Sequence, residues 1–323
     1  MKALYFDGSL RLQSDAPLPE PGKNEALIRV LMAGVCGTDL EILKGYKDFT
    51  GIPGHEFVGV VERVNGAGSG LVGKRVVGEI NCGCGVCEYC AKGMERHCPG
   101  RSTLGISGRD GAFAEYLTLP VRNLWGLPDD SADEDMVFAE PLAAAFEVAE
   151  QVHVKPTDTI LVLGDGRLGL LAAFVLNQYG GNVTLSGRHE AKLAIAAAGN
   201  IRTVGAEGRV EERAYDVVIE ATGSPNGLET ALDLVKPRGT VVLKSTVHDR
   251  WEMNLTKAVI DEVTLVGSRC GPFGPAIRAL ASGRVNVKPL VSAVYPFDEA
   301  LFAFERAKRK DSLKVLLDFR AGT

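Results

Sequence analysis

Four cysteines, Cys84, Cys87, Cys90 and Cys98, follow one another with the spacing C-x2-C-x2-C-x7-C. Thiolates at such short intervals converge on one tetrahedral zinc without a large core around them. With four protein sulfurs the metal has no position left for a substrate, so the cluster predicts a structural zinc in a lobe over residues 81–99. The competing use is a redox pair, but no thioredoxin-like strand–helix–strand pattern surrounds these residues. Cys82 lies two residues before the first ligand, outside the spacing, and receives no role. Cys270 is isolated in the sequence and reads as a packed thiol.

Chemistry at a metal needs an open position, and three other residues have suitable types. They are Cys36 in AGVCGTDLEI, His55 in IPGHEFVG and Glu140 in FAEPLAAA. One thiolate, one imidazole and one carboxylate leave the fourth position of a zinc free for water or substrate. Spacing alone does not join them. A single cysteine is commonly a small buried hydrophobe, and Glu140 before Pro141 also fits a charge in the first turn of a helix.

A second kind of chemistry is written in Gly164-Asp165-Gly166-Arg167-Leu168-Gly169, which follows the apolar run TILVL and opens a helical pattern. Glycines there permit a tight turn and close backbone approach, and the helix N-terminus offers unpaired N–H groups to a pyrophosphate. The strand–turn–helix setting is what confirms such a motif as a dinucleotide site. Arg167 adds charge toward the phosphates. An acid about 20 residues further on would take the ribose 2′-hydroxyl of NAD. Here the next strand ends in Ser186-Gly187-Arg188-His189, and Glu190 falls in the first turn of the following helix. A hydroxyl, a small residue and a cationic fork suit a 2′-phosphate, so the expectation is NADP in preference to NAD.

The elements that must carry these residues come in two textures. Residues 1–130 hold short β-rich runs broken by Gly and Pro, such as EALIRVLMAGVCG, FVGVVERVNGAG and KRVVGEI, which predict a barrel or sandwich. Over 131–269 apolar strands alternate with helices, which predicts a parallel sheet covered on both faces. Residues 270–323 add two helices and two strands, ending in LKVLLDF. The chain of 323 residues is long enough for two cores. It has 36 basic and 41 acidic side chains and a formal charge of −5, which argues against a nucleic-acid partner. No apolar run reaches the ~18 residues of a membrane span, and the first residues lack the apolar core of a signal peptide. A cytoplasmic protein with reduced cysteines is the expectation.

Taken in order, VCGTD, GHE followed by FVGVV, the cysteine lobe, EPLA and the G-x-G-x-x-G unit resemble the zinc-dependent medium-chain alcohol/polyol dehydrogenases. The likeness runs through GSR at 267–269 to the closing KVLLDF. It implies an α/β protein with a GroES-like β-barrel catalytic domain and a Rossmann domain, the tail returning to the catalytic domain. It also implies that Cys36, His55 and Glu140 hold a catalytic zinc, giving two zincs per chain, and that Glu56 is a second carboxylate exchanging with water on the metal. Thr38 matches the family's proton-relay hydroxyl, and Arg269 a residue near the nicotinamide. Many members continue the relay with a histidine where this chain has Glu41, in a form closer to the glucose dehydrogenase branch. Glu41 is then either the relay's terminal base or an exposed helix carboxylate. Asp39 is expected to orient a metal ligand, the usual partner of a zinc histidine.

The function so implied is hydride transfer between NADP and a small alcohol or carbonyl compound, with polyols and sugars favoured, in a homodimer or homotetramer. An enone or quinone reductase on the same fold generally lacks the metal ligands, so Cys36 and His55 count against it. Two intact ligand sets count against a non-catalytic NADPH-binding protein.

Overall fold

The computed structural model describes residues 1–246 and 254–320. The chain forms two compact units, one from Met1–Glu140 with Ala276–Thr323, the other from Pro141–Pro275. The change of texture set these divisions at 130 and 269.

The strand Glu25–Val35 is the spine of the first unit. Its eleven residues are nearly all buried, as a mostly apolar run requires. Along one edge it pairs antiparallel with Glu56–Asn65, which continues to Arg75–Gly78 and Leu124–Gly126. The other edge is shared. Tyr116–Pro120 pairs with its first half and Lys314–Asp318 with its last residues. Val291–Pro296 lies parallel to Lys314–Asp318 and completes a seven-stranded sheet. The helix Ala300–Ala307 buries Ala303 and Phe304, and the Phe304 ring meets Phe113 edge-on at 5.5 Å. The first residues form two antiparallel strands, Ala3–Phe6 and Leu10–Gln13, because Asp7-Gly8-Ser9 turns the chain between them.

In the second unit six strands form an all-parallel sheet. Their spatial order is Arg202–Val204, Asn182–Ser186, Thr159–Leu163, Tyr215–Glu220, Val235–Leu243 and Thr264–Gly267. The order reverses direction of growth on either side of Thr159–Leu163, so ligands are expected beyond the carboxyl ends of the strands there. Leu161, Leu163, Val218, Leu232 and Val241 make one core with the helix Gly227–Leu234; each such side chain stabilises the fold by roughly 1.5–3 kcal/mol. That helix stops at Leu234 and the next strand starts at once. Pro237 gives the reason, since it disfavours helical geometry at the residue before it.

Candidate active site

The register of two strands assembles the first group. Gly34 faces Glu56 across the sheet, so the residues just beyond this pair, Cys36 and His55, emerge at the same end. Sγ of Cys36, a ring nitrogen of His55 and a carboxylate oxygen of Glu56 all lie within 4.8 Å of one another. Cys36 is the N-cap of the short helix Gly37–Ile42, and its N–H donates to Asp39 Oδ2 at 2.7 Å. Asp39 Oδ1 stands 3.2 Å from His55 Nδ1, near enough for charge attraction without the alignment of a hydrogen bond. Burial lowers the His55 pKa, yet the charges of Asp39 and Cys36 outweigh it and hold the imidazole well above its ordinary value. Thr38 Oγ1 lies 3.9 Å from Cys36 Sγ. Glu41 is exposed and accepts from Lys44 at 2.8 Å.

Glu140 lies in the first turn of the helix Ala139–Gln151, half-buried and outside this group of three. Burial pushes its carboxyl up to about 7. The nearby charges of Glu56 and Glu79 add to the rise, and those of His55 and Lys314 oppose it.

The sequence pattern missed Lys314. This lysine is 1% exposed and its ammonium binds Glu56 Oε2, which is itself fully buried. The Phe138 ring lies 5.5 Å from the same nitrogen, within range of a cation–π contact. Gly34 makes room for the pair, since a Cβ there would come within 2.6 Å of Glu56 Oε2. The signal available was a cation inside the apolar run LKVLLDF.

The donors suit a zinc. Sulfur, imidazole nitrogen and carboxylate oxygen form the mixed set of open zinc sites. Glu56 Oε1 is buried with no hydrogen-bond partner, a costly state for a polar atom that has no further ligand.

The four remaining sulfurs of the lobe also lie within 4.8 Å of one another. Cys87 Sγ is 3.6 Å from both Cys90 Sγ and Cys98 Sγ. The N–H groups of Cys84 and Gly85 donate to Cys98 Sγ and Cys90 Sγ, each at 3.3 Å. Donation from the Val86 and Cys87 N–H groups pushes the Cys84 thiol down to about 6, while burial and neighbouring sulfurs push Cys90 up to about 11. Sulfurs this close hold their charges together best around a cation. His97 is exposed and outside the four. Cys82 is buried beside the Asn123 amide at 3.8 Å, and burial pushes its thiol up to about 11, as befits an inert packed residue. Cys270 is buried as well.

In the second unit the three loop glycines differ in task. Gly164 has φ +108°, a left-handed conformation that favours glycine, and a Cβ there would stand 2.5 Å from Ala221 O. A Cβ on Gly169 would lie 1.9 Å from Gly164 O, so this glycine seats the helix Arg167–Asn177 against the loop. Gly166 meets nothing within 4 Å; it faces the open space into which a pyrophosphate would come. Arg167 and Leu168 begin the helix. Ser186 ends the second strand, and its carbonyl accepts from the Gly164 N–H at 2.8 Å.

Arg188 is exposed, and among the described residues its guanidinium makes no hydrogen bond or ion pair. His189 turns to Asp165, with Nδ1 at 3.0 Å from Oδ2. Burial raises the Asp165 pKa, but donation from the His189 and Arg188 N–H groups and the His189 ring outweighs it, and the carboxyl sits below its ordinary value. Asp165 was read in the sequence only as the variable residue of the glycine motif. Arg269 is exposed just beyond the last strand, and its carbonyl accepts from Lys244 Nζ at 2.9 Å.

A sheet unit presenting a thiolate–imidazole–carboxylate group, joined in one chain to a parallel-sheet unit with a glycine cradle, defines a medium-chain type of dehydrogenase. Residues 22–129 match the alcohol dehydrogenase GroES-like domain, and residues 137–319 match the glucose dehydrogenase C-terminus. A sorbitol dehydrogenase from Halalkalibacterium halodurans is 30% identical, with 98% of each chain covered. Among solved structures, a zinc-binding dehydrogenase from Sinorhizobium meliloti bound to NADP has a TM-score of 0.88 at 28% identity, over 98% of both chains. An Escherichia coli alcohol dehydrogenase complexed with NADH has a TM-score of 0.91 at 27% identity, over 99% of both chains. The chain belongs to the zinc-type medium-chain alcohol/polyol dehydrogenase family, with a GroES-like domain and a Rossmann-like parallel sheet. Among the described residues no helix is long and apolar enough to cross a membrane.

Proposed function

We propose that this protein is a zinc-dependent oxidoreductase moving a hydride between NADP and an alcohol, of the polyol, sugar or secondary-alcohol class. The observation that carries this reading is the convergence of Cys36, His55 and Glu56 within 4.8 Å. Cys36, His55 and Glu140 hold the catalytic zinc, and Glu56 is the carboxylate that exchanges with water there. Cys84, Cys87, Cys90 and Cys98 hold a second, structural zinc. When bound, the catalytic zinc supplies a Lewis acid that favours negative charge on the substrate oxygen, and the nicotinamide supplies the hydride chemistry.

The chain's own residues do the rest. Asp39 orients the ring of His55 from behind. Thr38 Oγ1 takes the alcohol's proton and hands it on, and Glu41, paired with Lys44, is the candidate for the relay's outer end. Gly164, Gly166, Leu168 and Gly169 cradle the pyrophosphate with Arg167 beside them. Ser186, Arg188 and His189 receive the 2′-phosphate, and Arg269 serves the nicotinamide end. The enzyme works in the cytoplasm as a homodimer or homotetramer.

Metal analysis and a spectrophotometric screen of polyols, sugars and simple alcohols with NADP and NAD test this reading. The expected result is two zincs per chain, falling to one in Cys36→Ser with the circular dichroism retained and turnover abolished. One zinc in the wild type, unchanged by Cys36→Ser, overturns the catalytic metal.

A further inference from the structure

Asp165 is the acidic residue of the glycine loop, and it does not point its carboxylate at open space. Oδ2 accepts from the Arg188 N–H at 2.7 Å and the His189 N–H at 2.6 Å. The His189 ring nitrogen Nδ1 stands 3.0 Å from Oδ2 and 3.1 Å from Oδ1. A carboxylate has about four lone-pair sites, and this one spends most of them on a single turn.

Gly187 explains itself by the same contact. Its φ is not in the left-handed region, so the backbone does not ask for glycine. A Cβ there, however, would come within 2.4 Å of Asp165 Cβ and 2.6 Å of Oδ2. The absent side chain is what lets the carboxylate reach the two N–H groups beyond it. The turn is thereby fixed from Gly187 to His189, while the guanidinium of Arg188 stays exposed with no anionic partner among the described residues.

We propose that Asp165 is a specificity-positioning residue for the adenosine end of the dinucleotide: by pinning the Gly187–His189 turn it holds Arg188 out as the cation for a 2′-phosphate. The proposal rests on the NADP reading above. It also accounts for why Asp165 does not act as the ribose acceptor of an NAD enzyme: its oxygens already receive the turn's own donors.

The test is equilibrium binding of NADPH and of NADH, followed by nucleotide fluorescence, to the full chain as wild type, Arg188→Ala, Asp165→Asn and Gly187→Ala. The ratio of the two dissociation constants is the readout, because general damage to the glycine loop weakens both cofactors alike. The wild type is expected to bind NADPH more tightly, and Arg188→Ala to bring the ratio near one. Asp165→Asn should reduce the preference about tenfold, as expected for loss of a charge-assisted arrangement. Gly187→Ala disturbs the same contact from the other side and should act in the same direction, which keeps the test available if Asp165→Asn folds poorly.

If Arg188→Ala removes the preference while Asp165→Asn and Gly187→Ala leave the ratio unchanged, or weaken both cofactors equally, the positioning role is wrong and the NADP reading stands. A ratio that rises in Asp165→Asn also overturns the proposal, since the carboxylate would then act by repelling the phosphate. A wild type that prefers NADH, with Arg188→Ala leaving that preference intact, overturns the NADP reading and the proposal with it.

Discussion

Lys314 and Glu56 pose the sharpest energetic question at the scale of single residues. Both are buried to within 1% of full enclosure, and each is the other's counter-charge. Removing one member of such a pair leaves an uncompensated buried charge, at a cost of about 3–5 kcal/mol. Lys314→Met is therefore expected to lower the urea midpoint strongly, and Glu56→Gln added to it to restore much of the loss. A Lys314→Met midpoint equal to wild type would remove the pair from the account of stability. Asp165 carries a pH signature of definite sign. Its carboxyl is lowered in the folded chain from an ordinary value of 3.8, so the stability it contributes is present above that value and lost as pH falls through the lowered one. The stability gap between wild type and Asp165→Asn, read by urea unfolding, should accordingly hold near neutrality and close in acid below 3.8; a gap that widens in acid contradicts the assignment. Neither residue was legible as a partner in the sequence. Asp165 meets its donors 23 and 24 positions on and Glu56 its lysine 258 positions on, and no local pattern encodes such distances. Asp39 was expected as the partner of a zinc histidine, and its carboxylate stands 3.2 Å from His55 Nδ1.

At the scale of elements, the cradle is the place where sequence and geometry agree most closely. ILVL, residues 160–163, has to be a buried strand because it is apolar throughout, and the glycine pattern after it leaves the chain few other turns to make. Gly169 is the position to test. A methyl group there would stand 1.9 Å from Gly164 O, which is backbone and cannot rotate away. Gly169→Ala should lift the helix from the loop, cost roughly 1–3 kcal/mol as overpacking, and weaken NADPH binding; a fully stable variant with wild-type affinity would show that the loop yields. The group of Cys36, His55 and Glu56 was less legible. Cys36 and His55 belong to different elements, and only the register that sets Gly34 against Glu56 brings them together. Glu56, next to His55 in the chain, is the second carboxylate that the resemblance implied, and the same register sets it beside Cys36.

For the molecule as a whole, the chemistry is divided between the two units. Both sulfur-containing groups that could hold a metal lie in the first unit, and the glycine loop lies in the second. Stripping metal with a chelator is expected to expose the segment 81–103 to limited proteolysis, while the dissociation constant of NADPH changes by less than about twofold, since no ligand residue belongs to the second unit. Cleavage that is unaffected by the chelator would count against a metal in the lobe. The two textures of the sequence suggested two units, and the return of the tail to the first came from the family resemblance; in the structure residues from 276 onward belong to the first unit.

That return has a consequence in time. The first unit is interrupted by the whole of the second, and the edge of its central strand beside Cys36 is completed only by Lys314–Asp318. On the ribosome, Cys36, His55 and Glu56 are made early and must wait some 250 residues for the strand and the ammonium that finish their surroundings. The second unit can close its parallel sheet meanwhile. The nascent chain thus has every strand of its parallel sheet before the surroundings of Cys36, His55 and Glu56 are complete, so the later unit in the sequence is the first whose strands are all made.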